Sequence, residues 1–126
     1  MNKYGNRKCQ YNGIVFDSRH EMNRYKDLYF MERGHEISDL RVQVPFVLIP
    51  EQREEPTERY LRGPHKGEYK PGTIIEKACT YVADFVYTDV QSGKTVVEDA
   101  KGMKTEVYRI KKKLMLYVHG IRIIEV

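Results

Sequence analysis

The first patterned block of the chain is short. Cys9 to Tyr11 and Ile14 to Phe16 flank Asn12-Gly13, the pair favoured where both residues of a tight turn need positive φ. A hairpin is predicted there. Asp17 or Ser18 then offers a side-chain oxygen to cap a helix running to about Arg33, with Gly34 as its stop. Within it Met22, Tyr25, Leu28 and Tyr29 recur at spacings of three and four and share one face. Glu21 falls on that same stripe. A carboxylate at the edge of a core-facing surface needs a partner, a proton or a metal, because desolvating it bare is costly.

Asp39 to Ile49 reads as a strand ending at Pro50. The stretch 51–76 changes character, with Pro56, Pro64, Pro71, several glycines and dense mixed charge. This is a long charged insertion, in the form of a hairpin, and loops of that length are usually functional or disordered. Lys77 to Tyr87 and Lys94 to Lys101 read as two further strands joined around Gln91-Ser92-Gly93. Thr105 caps a second helix through Val118, for which Val107, Ile110, Leu114 and Tyr117 form the expected buried side. Gly120 ends it, and Ile121 to Val126 is a last strand. The order helix, strand, strand, strand, helix, strand predicts an α/β fold, and 126 residues fit a single domain.

Composition narrows the function classes. No apolar run approaches the roughly 18 residues of a membrane span, and the basic start is not followed by a signal-peptide stretch. The expectation is an intracellular, cytoplasmic protein with no membrane partner. Cys9 and Cys79 lack metal-ligand spacing, so they are expected to be reduced thiols rather than zinc ligands. The net charge of +4 is modest but unevenly distributed. Lys3, Arg7 and Lys8 form a basic arm within residues 1–16. Lys104, Arg109, Lys111, Lys112 and Lys113 face only Glu106 around the last helix. Such clusters suit a phosphate backbone, although a solvated helix face has the same composition.

Strand parity brings in the chemistry, since alternate side chains look the same way. Asp84 is expected to share a face with Val82 and Val86. Asp99 is expected to share one with Val97 and Lys101, while Glu98 points the opposite way. With Glu21, three carboxylates could converge around one lysine. Like charges so close raise their own pKa values or recruit cations, and an all-oxygen set favours a hard ion such as Mg²⁺. Lys101 is placed to orient water or to stabilise charge on a phosphate. Taken alone, Asp99 and Lys101 could equally be a surface ion pair worth little.

Asp84, fourteen residues, then Asp99-Ala100-Lys101 and Gly102 resemble the pattern of the PD-(D/E)XK nuclease superfamily, with Ala83 where proline often stands. The element order resembles its core, in which a mixed sheet is flanked by helices. The segments Gly13 to Ser18, Glu36 to Leu40 and Val97 to Gly102 are similar to a narrower phage and prophage family of proteins of unknown function. That family includes a Holliday-junction resolvase-like endonuclease. The similarity covers nearly the whole chain except 51–76.

The resemblance implies that Asp84 and Asp99 are metal ligands, with the backbone carbonyl of Ala100 as a further one. Lys101 would be the catalytic lysine and Glu21 the helix carboxylate completing the site. Gln43 would lie near it, or be a polar residue at a strand edge. The implied activity is hydrolysis of DNA by Mg²⁺, with Mn²⁺ as substitute, leaving a 5′-phosphate and a 3′-hydroxyl. The implied substrate is branched DNA such as a four-way junction, the implied assembly a homodimer, and the setting the cytoplasm of a bacterial host. In the insertion, Arg59, Arg62, Lys66 and Lys70 carry the charge to contact DNA, whereas Glu51 to Glu58 would face away from it or meet a partner. The rival readings are a nicking, flap or exonuclease specificity on the same core, an inactive DNA-binding accessory protein, and a structural or packaging protein. The last leaves three acids with no reason to share one interior.

Overall fold

The computed structural model describes residues 7–101 and 103–126. Lys3 of the expected basic arm and Gly102 of the expected motif lie outside the described residues. Cys9–Tyr11 (β1) and Ile14–Phe16 (β2) pair antiparallel across Asn12 and Gly13, whose φ angles are 54° and 77°. Both are left-handed, which is what the Asn-Gly pair permits at low cost. Ser18 then caps Arg19–Arg33 (α1), its hydroxyl accepting from the Glu21 N–H at 3.1 Å. The expected stripe holds: Tyr25 and Leu28 are buried, Met22 and Tyr29 pack beside them, and Glu21 is buried too.

Ile37–Ile49 (β3) leads into a projecting hairpin built on Gln52–Arg53 (β4) and Ile74–Glu76 (β5). Cys79–Asp89 (β6), Thr95–Asp99 (β7), Glu106–His119 (α2) and Ile124–Glu125 (β8) follow. The main sheet runs β3-β6-β7-β8. Its first two pairings are antiparallel and the last parallel, so it is a mixed, open sheet. The fold class is α/β, with two helices flanking the sheet.

Each helix seals its own core. Phe85 and Tyr87 of β6 pack with Tyr25 and Leu28 of α1, whereas Val86 and Val97 pack with Tyr108 and Met115 of α2. Phe85 and Val86 are sequence neighbours, so the two helices cover opposite faces of the sheet there. The alternation then changes phase: Tyr81 and Ala83 join the α2 core with Val86. The break falls at Asp84, opposite Gln43, whose backbone sits at φ 53°. The β3–β6 ladder pairs Val42 with Phe85 and Val44 with Ala83 but skips the residues between. The expected common face of Val82, Asp84 and Val86 is therefore broken: Val86 joins the α2 core with Tyr81 and Ala83, whereas Val82 is exposed.

A second expectation is overturned on α2. Thr105 does cap it, accepting from the Tyr108 N–H at 3.1 Å, and Gly120 ends it at φ 67°. Its buried side, however, is Tyr108 and Met115, with Leu114 partly buried. Val107, Ile110 and Tyr117 face outward, Tyr117 being 88% exposed. The helix carries two apolar stripes; the buried one packs against Tyr81, Val86 and Val97 of the sheet, and Tyr108 and Lys112 also reach Glu125 of β8.

The 51–76 insertion is a hairpin, as expected. Beyond the short β4–β5 ladder it is held by the Glu54 N–H on Thr73, an isolated bridge between Arg59 and Tyr69, and the Tyr60 N–H on Glu68. Cys9 and Cys79 are free thiols. Among the described residues no helix is long and apolar enough to cross a membrane.

Candidate functional site

Two acidic neighbours end β7, and the strand sends them to opposite faces, as parity requires. Glu98 turns to α1, where Arg24 Nε and Nη2 donate to its two oxygens at 2.8 and 2.7 Å and the Tyr87 hydroxyl adds a third bond. Asp99 turns the other way. It is fully buried, and its Oδ2 accepts from the Tyr81 hydroxyl at 2.5 Å. Its Oδ1 is buried with no hydrogen-bond partner among the described residues. Such an orphan is uncommon, because leaving a charged acceptor desolvated costs more than a typical bond returns.

One step beyond the last paired residues, Phe85 and Glu98, the β6–β7 register sets Asp84 opposite Asp99. Asp84 Oδ2 accepts from the Ala100 N–H at 2.8 Å and so closes the end of the ladder. Its Oδ1 accepts from Gln43 Nε2 at 3.1 Å, and the same nitrogen donates to Glu21 Oε1 at 3.1 Å. One amide thus ties the helix carboxylate to the strand carboxylate. The left-handed backbone of Gln43, costing on the order of 1–3 kcal/mol for a residue with a Cβ, accompanies this placement.

The electrostatics follow from burial. Glu21 is pushed up to about 7, first by desolvation and then by the charges of Asp84 and Asp17. Asp99 is also raised, chiefly by burial, with the Tyr81 hydrogen bond opposing, the Asp84 charge adding and Lys101 countering. Desolvation and then the Asp99 contact hold the Tyr81 phenol far above its usual range, so it stays a donor. Lys101 follows β7, is exposed, and lies with Nζ 5.6 Å from the Tyr108 ring centroid. The structure therefore brings Glu21, Asp84, Asp99, Lys101 and Gln43 together. Among the described residues, though, no three His, Cys, Asp or Glu side chains stand at metal-ligand spacing. The hydrogen bonds from Gln43, Tyr81 and the Ala100 N–H account for how the acids are held instead.

The basic residues sort less evenly. Lys104 and Lys112 both pair with Glu125, at 3.4 and 3.0 Å, so part of their charge is spent internally. Arg59 stacks on Tyr69, 4.1 Å from its centroid, and donates to the Gly67 carbonyl. Lys70 lies 3.9 Å from Glu58. Arg62, Lys66, Arg109 and Lys111 form no ion pair among the described residues. Arg7 and Lys8 are exposed.

Two participants escaped the sequence reading. Tyr81, eighteen residues before Asp99, is the donor that orients it. Its signal was a tyrosine on the same strand as Asp84, but parity alone does not say which phenol reaches an acid. Arg24 is separated from Glu98 by 74 residues, and nothing in the local pattern of α1 announces that pairing. No curated protein and no solved structure matches the chain. A family model described as "Protein of unknown function (DUF1064)" matches residues 1–122, and the chain belongs to that family.

Proposed function

We propose that this protein is a metal-dependent endodeoxyribonuclease of the PD-(D/E)XK type, acting on branched DNA such as a four-way junction. The observation that carries the reading is Asp99, which is fully buried, has one oxygen without a hydrogen-bond partner among the described residues, and lies near the Asp84 and Glu21 carboxylates and the Lys101 amine. A purely structural acid would resemble Glu98, whose charge is met by Arg24.

The residues suit a hard divalent ion. Mg²⁺ commonly takes one or two carboxylates and completes its shell with water and substrate phosphate oxygens. Asp84, Asp99 and the Ala100 carbonyl would hold it, with Glu21 alongside. Two strand acids and a carbonyl meet that demand without a third carboxylate at ligand distance. When bound, Mg²⁺ or Mn²⁺ supplies Lewis acidity toward a phosphodiester oxygen.

The chain's own groups supply the rest. Lys101 sets a fixed positive charge against the phosphate as its negative charge grows. Glu21, titrating near 7, is suited to take a proton from the attacking water at neutral pH. Gln43 holds Glu21 and Asp84 in a common orientation, and Tyr81 holds Asp99. Water adds to phosphorus as Glu21 takes its proton, the bond to the 3′ oxygen breaks, and that oxygen takes a proton from solvent, so that a 5′-phosphate and a 3′-hydroxyl remain. Paired cuts across a junction require two such sites, hence a homodimer.

The test is cleavage of an end-labelled four-way junction beside linear duplex, in Mg²⁺, Mn²⁺ and EDTA, with Asp99→Asn and Lys101→Ala as controls. Paired metal-dependent cuts lost in both variants are expected. Cleavage of every substrate alike would remove the branch preference and keep the hydrolysis. Tight binding without cleavage in either metal would overturn the enzyme reading in favour of a DNA-binding accessory protein.

A further inference from the structure

We propose that the cleft between the start of β6 and the first turns of α2 is a subsite for one unpaired nucleotide of a DNA strand. Its phosphate would sit on Lys111 and its sugar and base against Val82, Val107 and Tyr108. The proposal rests on the nucleic-acid reading above.

The cleft has a volume of about 240 Å³, below the roughly 300–1,000 Å³ of sites that take whole small molecules. That size suits one unit of a polymer. Tyr81 and Tyr108 line it with ring centroids 6.5 Å apart. Their hydroxyl protons are committed to Asp99 and to Glu125. The rings therefore contribute mainly apolar surface. Val82 and Val107 extend that surface and are both substantially exposed. An exposed valine pair is the wrong lining for an inorganic anion alone and the right one for a sugar and base.

The rim is cationic. Lys101 and Lys111 both line the cleft. Lys104 and Lys112 are drawn to Glu125, whereas Lys111 has no acidic partner among the described residues. The local acid is thus already shared by two other lysines, and Lys111 is left to meet an anion from outside. Thr105 Oγ1 accepts from the Tyr108 N–H, which leaves its hydroxyl proton able to donate to the same phosphate.

Position gives the subsite its meaning. Tyr81 also touches Asp99, and Lys101 belongs to the candidate site, so the cleft adjoins the phosphodiester to be cut. A base can lie against Val82 and Val107 only when it has left the helical stack. The preferred substrate is therefore DNA with an unpaired nucleotide next to the cut, as at a branch point or a flap.

The test uses the full chain in EDTA, where no cleavage occurs, with a short fluorescein-labelled oligothymidylate followed by anisotropy. Lys111→Ala and Val107→Asn should each weaken binding about five- to tenfold, in keeping with the worth of a single nucleotide contact. Lys111→Ala should also reduce the salt slope by about 0.7, the value for one phosphate on a single strand. Lys113→Ala is the charge control, because it lies about 200° round the helix from Lys111, and it should change binding less than twofold. Circular dichroism checks that each variant is folded. Equal losses at Lys111 and Lys113, or none at Val107, would overturn the subsite in favour of diffuse attraction. Full displacement by thymidine monophosphate at the oligonucleotide's own affinity would assign the cleft to free nucleotides instead. A blunt duplex as sensitive to Val107→Asn as the single strand would overturn the unpaired-base requirement. Repeating the series in Mg²⁺ separates the two proposals: cleavage indifferent to these variants sinks the subsite, whereas the binding pattern without any cleavage sinks the hydrolysis.

Discussion

Glu98 and Asp99 are adjacent, equally buried at 1% and 0% exposure, and treated in opposite ways. Glu98 receives a bidentate guanidinium and a phenol, so every oxygen is answered by a donor. Asp99 receives one phenol and keeps an oxygen with no hydrogen-bond partner among the described residues. The first arrangement fastens α1 to the sheet. The second leaves a charge met only in part, by one phenol and the nearby Lys101, at a point where two other acids gather. Burial alone would have ranked the two residues together, and only the accounting of donors separates a fully answered carboxylate from a partly answered one.

The largest expected effect strikes the fastening. Arg24→Ala leaves Glu98 buried and unpaired, and should cost about 3–5 kcal/mol in urea unfolding. Asp99→Asn should cost nothing or stabilise, since it removes a charge that the fold does not answer. A comparable loss in both variants would erase the distinction.

Glu21 sharpens it through pH. Its pKa rises from 4.5 to about 7 on folding, so the folded chain keeps a proton that the unfolded chain has released. The resulting stabilisation is fully present below about 4.5 and is lost as pH rises through about 7. Unfolding free energy should fall across that window in the wild type, by on the order of 3 kcal/mol at the most, and much less in Glu21→Gln. At pH 8, excess Mg²⁺ should then raise stability, by about 2.7 kcal/mol at a hundred times its Kd. Asp99→Asn should show no such gain in a thermal melt. An equal rise in both would move the ion elsewhere.

Smaller effects test the supporting groups. Tyr81→Phe should cost about 1–2 kcal/mol, because Asp99 then loses its only donor among the described residues. Gln43→Gly relieves the left-handed backbone while it cuts the link between Glu21 and Asp84. Stability should change by less than about 1 kcal/mol, while cleavage falls at saturating substrate. A fall confined to KM would place Gln43 in substrate binding.

Much of this was legible before the fold was known. The Asn-Gly hairpin, the α1 stripe that includes Glu21, and the opposed faces of Glu98 and Asp99 all follow from local periodicity, and periodicity survives folding. What was hidden depends on partners distant in the chain. The α2 pattern offered two apolar stripes, and only the assembled sheet, with Val86 and Val97 packed against Tyr108 and Met115, decides between them. The phase of β6 broke at Asp84 because the facing residue, Gln43, adopts a backbone angle that no propensity assigns to glutamine. Gln43 itself was poised between strand-edge polarity and a place at the site. Its side chain touches two of the three acids.

The 51–76 hairpin has a pinch point at Gly72. A Cβ added there would lie 1.9 Å from the Glu54 carbonyl oxygen and 2.7 Å from its carbon. The contact is backbone against side chain, so no rotamer relieves it, and any other residue must spread the two legs apart. A small splay at that fulcrum is magnified along the legs toward Leu61 and Arg62 near the tip. The missing side chain at Gly72 is therefore what lets the two legs of the projection lie this close at its base.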